Sequence, residues 1–300
     1  MLRHTVASPD TSAVVISESS RSQLQRRQAG MDRLAVSELT TFRWSFEEDV
    51  KNYRAADVTA IGVWRQKLAD FGDERGARLL ETAGLVASSL QWAGGFTGSD
   101  GRSHTDSIAD ARVAIQTAAA LGAKCLIVHS GARGSHTHKH ARRLFREALQ
   151  KLLPLAEERG VTIAVEPMTG DCGGEFTFLN CFDETLRLIS DCDSPALGIV
   201  LDTYHWGHQP LLFERLPQLM PHLALVQLGD SRQPPRGETN RCPLGEGIVP
   251  LRELVQSLEN AGYTGYYEVE LLGEEIEAAD NRDLLVRSRE TFAEWLQVLA

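Results

Sequence analysis

Short apolar runs alternate with longer amphipathic stretches along nearly the whole chain after Met31. The runs are rich in Val, Ile and Leu, with no polar side to face water, and so read as strands buried on both faces. They fall at residues 34–39, 60–64, 85–90, 125–130, 162–166, 198–202, 224–228 and 266–270. The stretches between them repeat apolar positions at helical spacing. The helices this predicts span 46–55, 65–83, 106–121, 139–159, 182–191, 211–219 and 251–261, with a last one at 282–299. Gly84, Gly122, Gly160 and Gly262 follow helices where a left-handed cap is needed. Strands and helices alternating in this way predict an α/β fold, a single (β/α)8 barrel rather than a doubly wound sheet.

Four consecutive runs stop on a metal-capable side chain: Glu166, Asp202, Gln227 and Glu270. A lone carboxylate is costly to bury and needs a cation or several donors. Any one of them, taken alone, also reads as a helix N-cap or a salt-bridge partner. All four converge only if the strands lie side by side in parallel, at the C-terminal mouth of the barrel where such folds place their chemistry.

Three carboxylates and a neutral amide suit a hard divalent cation, Mn²⁺ or Mg²⁺, with Co²⁺ and Zn²⁺ as further options. Glu166 and Glu270 can then serve as an acid/base pair, one removing a proton from carbon and the other returning it beside a metal-polarised carbonyl. An aldose–ketose isomerase or a ketose epimerase needs these parts. They also serve a lyase or dehydratase that eliminates water from a keto-sugar or inosose.

Other residues are weaker candidates. His129 ends the fourth run and is a candidate to face substrate. Trp64 and Trp92 offer an aromatic wall for a sugar, or ordinary core packing. Arg133 is a candidate holder of a phosphate or carboxylate. His138 and His140 hint at a second metal, but read more simply as part of a polar loop capping the next helix. Lys67 is expected to be solvated. Two long loops, 91–105 and 231–248, are expected to wall the site.

Composition narrows the partners. A net charge of −10 over 300 residues, with no concentrated basic segment, argues against a nucleic-acid partner. No apolar run reaches the roughly 18 residues of a membrane helix. The five cysteines form no Cys-x-x-Cys pair and read as reduced thiols, which implies a cytoplasmic protein. Cys242 is the one considered as a reactive thiol. Residues 1–30 are rich in Ser, Gln and Arg and read as a flexible N-terminal extension, leaving 31–300 as the barrel.

From about Arg33 to Leu299 the chain resembles the xylose isomerase-like TIM-barrel superfamily, in its sugar phosphate isomerase/epimerase branch. The resemblance lies in Val165-Glu166-Pro167, Leu201-Asp202-Thr203-Tyr204-His205, Val226-Gln227-Leu228-Gly229-Asp230, Arg241 to Gly247, and Glu268-Val269-Glu270. It implies that Glu166, Asp202, Gln227 and Glu270 hold the metal, that Glu166 and Glu270 move the proton, and that His205 and Arg241 contact a small carbohydrate substrate. It also implies that pairing into a homo-oligomer through a barrel face is open to this chain. Tagatose-epimerase-like and inosose-isomerase-like members carry His where Gln227 stands, whereas hydroxypyruvate-isomerase-like members carry Gln. The endonuclease IV branch shares the Asp-Thr-x-His segment but calls for many histidines and a basic surface. A non-catalytic sugar-binding barrel is a further reading.

Overall fold

The computed structural model describes residues 25 and 27–297. Eight parallel strands close into a barrel in sequence order, β8 pairing with β1. They are β1 (Leu34–Ser37), β2 (Ala60–Trp64), β3 (Val86–Ala93), β4 (Cys125–Val128), β5 (Thr162–Val165), β6 (Leu197–Asp202), β7 (Leu223–Leu228) and β8 (Tyr266–Val269). The main helices are α1 (Phe46–Ala55), α2 (Arg65–Phe71), α3 (Asp73–Ala83), α4 (His104–Leu121), α5 (His138–Arg159) and α6 (Phe182–Cys192). They continue with α7 (Thr203–Trp206), α8 (Leu212–Leu219), α9 (Leu251–Asn260), α10 (Glu274–Ala278) and α11 (Asn281–Gln297).

The strands are buried on both faces because they face two cores. Cys125, Ile127, Ala164, Val200 and Leu225 fill the barrel interior. Their chain neighbours, such as Leu126, Val128, Ile163 and Ile199, point outward into the helix layer. Register then sets the height of each polar side chain. Asp202 pairs with Gln227, and Gln227 with Glu268, so these three stand at one level around the barrel. Glu270 follows two residues later, on the same side of its strand.

The expected elements all form, with shifted ends. The helix expected over 65–83 is broken at Gly72, whose φ of 103° a side-chain-bearing residue rarely adopts. Strand β3 runs on through Gln91 and Trp92, so the loop expected over 91–105 starts later. The short helices α7 and α10 were not anticipated. Most of the expected 1–30 extension lies outside the described residues. Its described end, 27–30, is helical, and Gly30 lies so close to Leu296 that a Cβ there would meet it at 2.7 Å.

Lys67 is a correction. It is only 8% exposed, its Nζ 2.5 Å from Asp49 and donating to the carbonyls of Glu38 and Thr41. Helix α2 starts directly after β2 and carries Lys67 back over the end of β1, where buried carboxylates require a cation.

Candidate active site

A cavity of about 160 Å³ opens at the C-terminal end of the strands, and Glu166, Gln227 and Glu270 line it with His129, Gln91 and Glu238. Trp92, Phe176, Met168 and Ile127 form its apolar wall. The rings of Trp92 and His129 lie 5.5 Å apart, and Phe176 meets Trp92 edge-on at 6.4 Å.

Glu166 follows β5 directly, and its Oε2 lies 2.8 Å from His129 Nε2. Glu270 follows β8, and its Oε2 accepts from Gln227 Nε2 at 2.7 Å and Gln91 Nε2 at 2.8 Å. Burial pushes the Glu270 carboxyl up to about 8; Arg241 beside it opposes the rise, and Asp202 and Glu166 add to it.

Asp202 has two structural duties. Its Oδ1 caps α7 by accepting from Tyr204 N at 2.8 Å, and its Oδ2 accepts from Arg241 Nη1 at 2.9 Å. Arg241 is itself buried, with its guanidinium carbon 4.3 Å from the centre of the Tyr204 ring. Its Nη2 lies 3.2 Å from Glu238 and 3.7 Å from Glu270.

His205 has no exposed surface. Its Nε2 is 3.4 Å from Glu238 and 3.8 Å from Asp202. Burial opposes charge on this ring, but Cys172, Glu238 and Asp202 outweigh it and push its pKa up to about 10. Burial likewise opposes charge on Glu238, yet His205 and Arg241 hold that carboxyl down to about 2.

The structure therefore brings Glu166, Gln227, Glu270 and His129 to one cavity; Asp202, His205 and Arg241 are not among its lining residues, although Asp202 and His205 bring ligand atoms within 4.8 Å of that of Glu166 and Arg241 pairs with Asp202 and Glu238. Trp64 does not line the cavity but an adjoining groove with Arg65, Arg102 and Asp110; Trp92 lines both. Arg133 is exposed and donates to the carbonyl of His136. His138 and His140 lie in the first turn of α5, where Thr137 caps the helix. Cys242 is buried and its thiol is pushed up to about 12, chiefly by burial, which leaves it protonated and a poor nucleophile.

Residue types suited to a divalent cation are present. Glu166, Asp202 and His205 offer ligand atoms within 4.8 Å of one another. Gln227 Oε1 is buried without a hydrogen-bond partner, an acceptor left free beside carboxylates. Two carboxylates and an imidazole nitrogen are donors that suit a divalent cation.

Sequence reasoning missed Glu238, Gln91 and Glu268. Glu268 is fully buried below Glu270, held by Ser88 Oγ at 2.6 Å, Ser89 Oγ at 2.7 Å and Gln91 Nε2 at 2.7 Å. Its place two residues before Glu270, on the same side of β8, was the available signal. Asp230 explains the late Gly-x-Gly: it accepts from the backbone N–H groups of Gly245, Gly247 and Val249, and a Cβ on Gly247 would collide with it.

The family model of the xylose isomerase-like TIM barrel matches residues 50–295. Among curated relatives, a stretch of 144 residues is 29% identical to "Probable endonuclease 4" of Mesomycoplasma hyopneumoniae, covering 45% of this chain and 50% of that protein. Another, of 143 residues, is 24% identical to L-ribulose-5-phosphate 3-epimerase UlaE of Escherichia coli O157:H7, covering 47% of this chain and 46% of the relative. The chain thus spans about half the length of the curated relatives it matches. The solved structure of protein SMc04130 from Sinorhizobium meliloti 1021 is 26% identical with a TM-score of 0.81, covering 88% of this chain and 98% of that one.

Proposed function

The chain belongs to the xylose isomerase-like TIM-barrel family, and from that premise we propose that it is a divalent-metal-dependent isomerase or epimerase acting on a ketose or related polyol ketone. One observation carries the reading. Glu166 and Glu270, from strands on different sides of the barrel, line the same cavity, each held by nitrogen donors.

The proposed ligands are Glu166, Asp202, Gln227 through Oε1, and Glu270. They would hold a divalent cation, which would supply polarisation of the substrate carbonyl and its neighbouring hydroxyl. The chain's own residues then move the proton. One glutamate takes it from the carbon next to the carbonyl, and the other returns a proton to complete isomerisation or epimerisation. Gln91 and Gln227 fix the Glu270 carboxyl, and His129 fixes Glu166. Trp92, Phe176 and Ile127 suit the C–H face of a sugar. His205 and Arg241 act on the substrate through Glu238, whose Oε2 they share.

The relatives named as endonucleases raise a phosphodiester reading. A net charge of −10 and a cavity lined by carboxylates weigh against it for this chain.

The test is to incubate the Mn²⁺-loaded protein with a panel of ketoses, ketose phosphates, hydroxypyruvate and inosose, and to identify the products by NMR. An epimer or an aldose supports the reading. A dehydrated product moves it to the lyase class, and no product from any compound removes it.

A further inference from the structure

The cavity contains one carboxylate more than the proposed metal and proton chemistry uses. Glu238 stands in the loop after β7 and lines the cavity beside Glu166 and Glu270. Its Oε2 is taken by Arg241 Nη2 at 3.2 Å and lies 3.4 Å from His205 Nε2. Its Oε1 is buried and has no partner. A buried carboxylate oxygen without a donor is unfavourable, and a ligand hydroxyl would relieve it.

Among the described residues, no Lys or Arg lines the cavity. Arg241, the nearest, gives Nη1 to Asp202 at 2.9 Å and to the carbonyl of Glu270 at 3.2 Å. A phosphate or carboxylate in the cavity would face Glu238 without a Lys or Arg among the lining residues to meet it.

We propose that Glu238 is a specificity-determining residue that selects a neutral, unphosphorylated polyol ketone: its free oxygen accepts from a substrate hydroxyl, and its charge turns away phosphate esters and carboxylates. This rests on the isomerase or epimerase reading and narrows it to one substrate class.

The experiment compares free ketoses with their own terminal esters, L-ribulose with L-ribulose 5-phosphate and D-fructose with D-fructose 6-phosphate. The metal-loaded parent, Glu238→Gln and Glu238→Asp are assayed for turnover, with KM and kcat separated. Isothermal titration with the same compounds gives binding. The parent favours the free ketose by roughly tenfold or more, the scale expected when like charges are juxtaposed. Glu238→Gln narrows that ratio by accepting the ester, and Glu238→Asp retains it. A parent that uses the ester equally or better, or a ratio unchanged in Glu238→Gln, overturns the proposal. Should nothing turn over, the isomerase reading falls while titration still decides this one. Tighter binding of the free ketoses sustains it; tighter binding of the esters, or no binding at all, overturns it.

Discussion

The side-chain nitrogen of Gln227 lies 2.7 Å from a carboxylate oxygen of Glu270, and the Gln227 oxygen is buried without a partner. The amide thus holds the proposed base with one end and, in the proposed site, would present a neutral oxygen to the cation with the other. Imidazole suits Zn²⁺ better than an amide oxygen does. Gln227→His is expected to raise affinity for Zn²⁺ relative to Mn²⁺, on the order of tenfold. Competition titration of metal-stripped protein measures it, and an unchanged preference would remove Gln227 from the ligand set.

Glu270→Gln removes a ligand charge and an acid/base group while preserving shape. Turnover should fall by roughly 10² to 10⁴, the usual contribution of a positioned acid or base. The far-UV circular dichroism and melting temperature should stay close to those of the parent. Turnover within a few-fold of the parent would show that Glu270 takes no part in the proton transfer.

Gly62 is the floor beneath Glu268. A Cβ there would stand 2.5 Å from the Glu268 carboxyl carbon, which is fixed from the other side by Ser88, Ser89 and Gln91. Gly62→Ala must push that carboxylate off its donors and is expected to cost about 1–3 kcal/mol, as overpacking does. Urea unfolding reads the loss as a lower midpoint. An unchanged midpoint would mean that Glu268 is free to move.

Glu38 provides a pH test away from the metal ligands. It is fully buried, with Oε1 unpartnered and Oε2 accepting from Trp64 N at 2.7 Å. Burial, and then the Asp49 carboxylate beside it, push its pKa well above the ordinary 4.5. The folded protein therefore holds this proton more tightly than the unfolded chain does. The stabilisation is complete below about 4.5 and is lost as pH rises through the folded-state value. Glu38→Gln keeps an acceptor for Trp64 and carries no charge. It should be more stable than the parent at pH 8, on the order of 1 kcal/mol, with the gain disappearing toward pH 5. Thermal melts across that range measure the difference; one independent of pH would contradict it.

The barrel was legible in the sequence because strands buried on both faces and capped amphipathic helices leave strong periodic signals. The candidate ligands were legible for a related reason: polar groups at the ends of apolar runs are conspicuous. Gln91 and Glu268 were hidden. Gln91 sits where β3 outlasts its apolar pattern, and Glu268 looks like an ordinary polar residue until the register sets it level with Gln227. Glu238 and Lys67 depend on how a loop and a helix fold back over the barrel mouth, which local pattern does not encode. Trp64 ends β2 much as Asp202 ends β6, but lines an adjoining groove rather than the cavity.

The most direct test of the central claim is proton NMR in D₂O of an accepted ketose with metal-stripped protein, with the same protein after Mn²⁺ has been restored and then exchanged for Mg²⁺, and with Glu166→Gln and Glu270→Gln. The account predicts that the carbon-bound proton next to the carbonyl exchanges with solvent only in the metal-restored parent and is lost in both variants. Exchange that survives metal removal, or that persists in both glutamine variants, would contradict metal-assisted proton transfer by this pair.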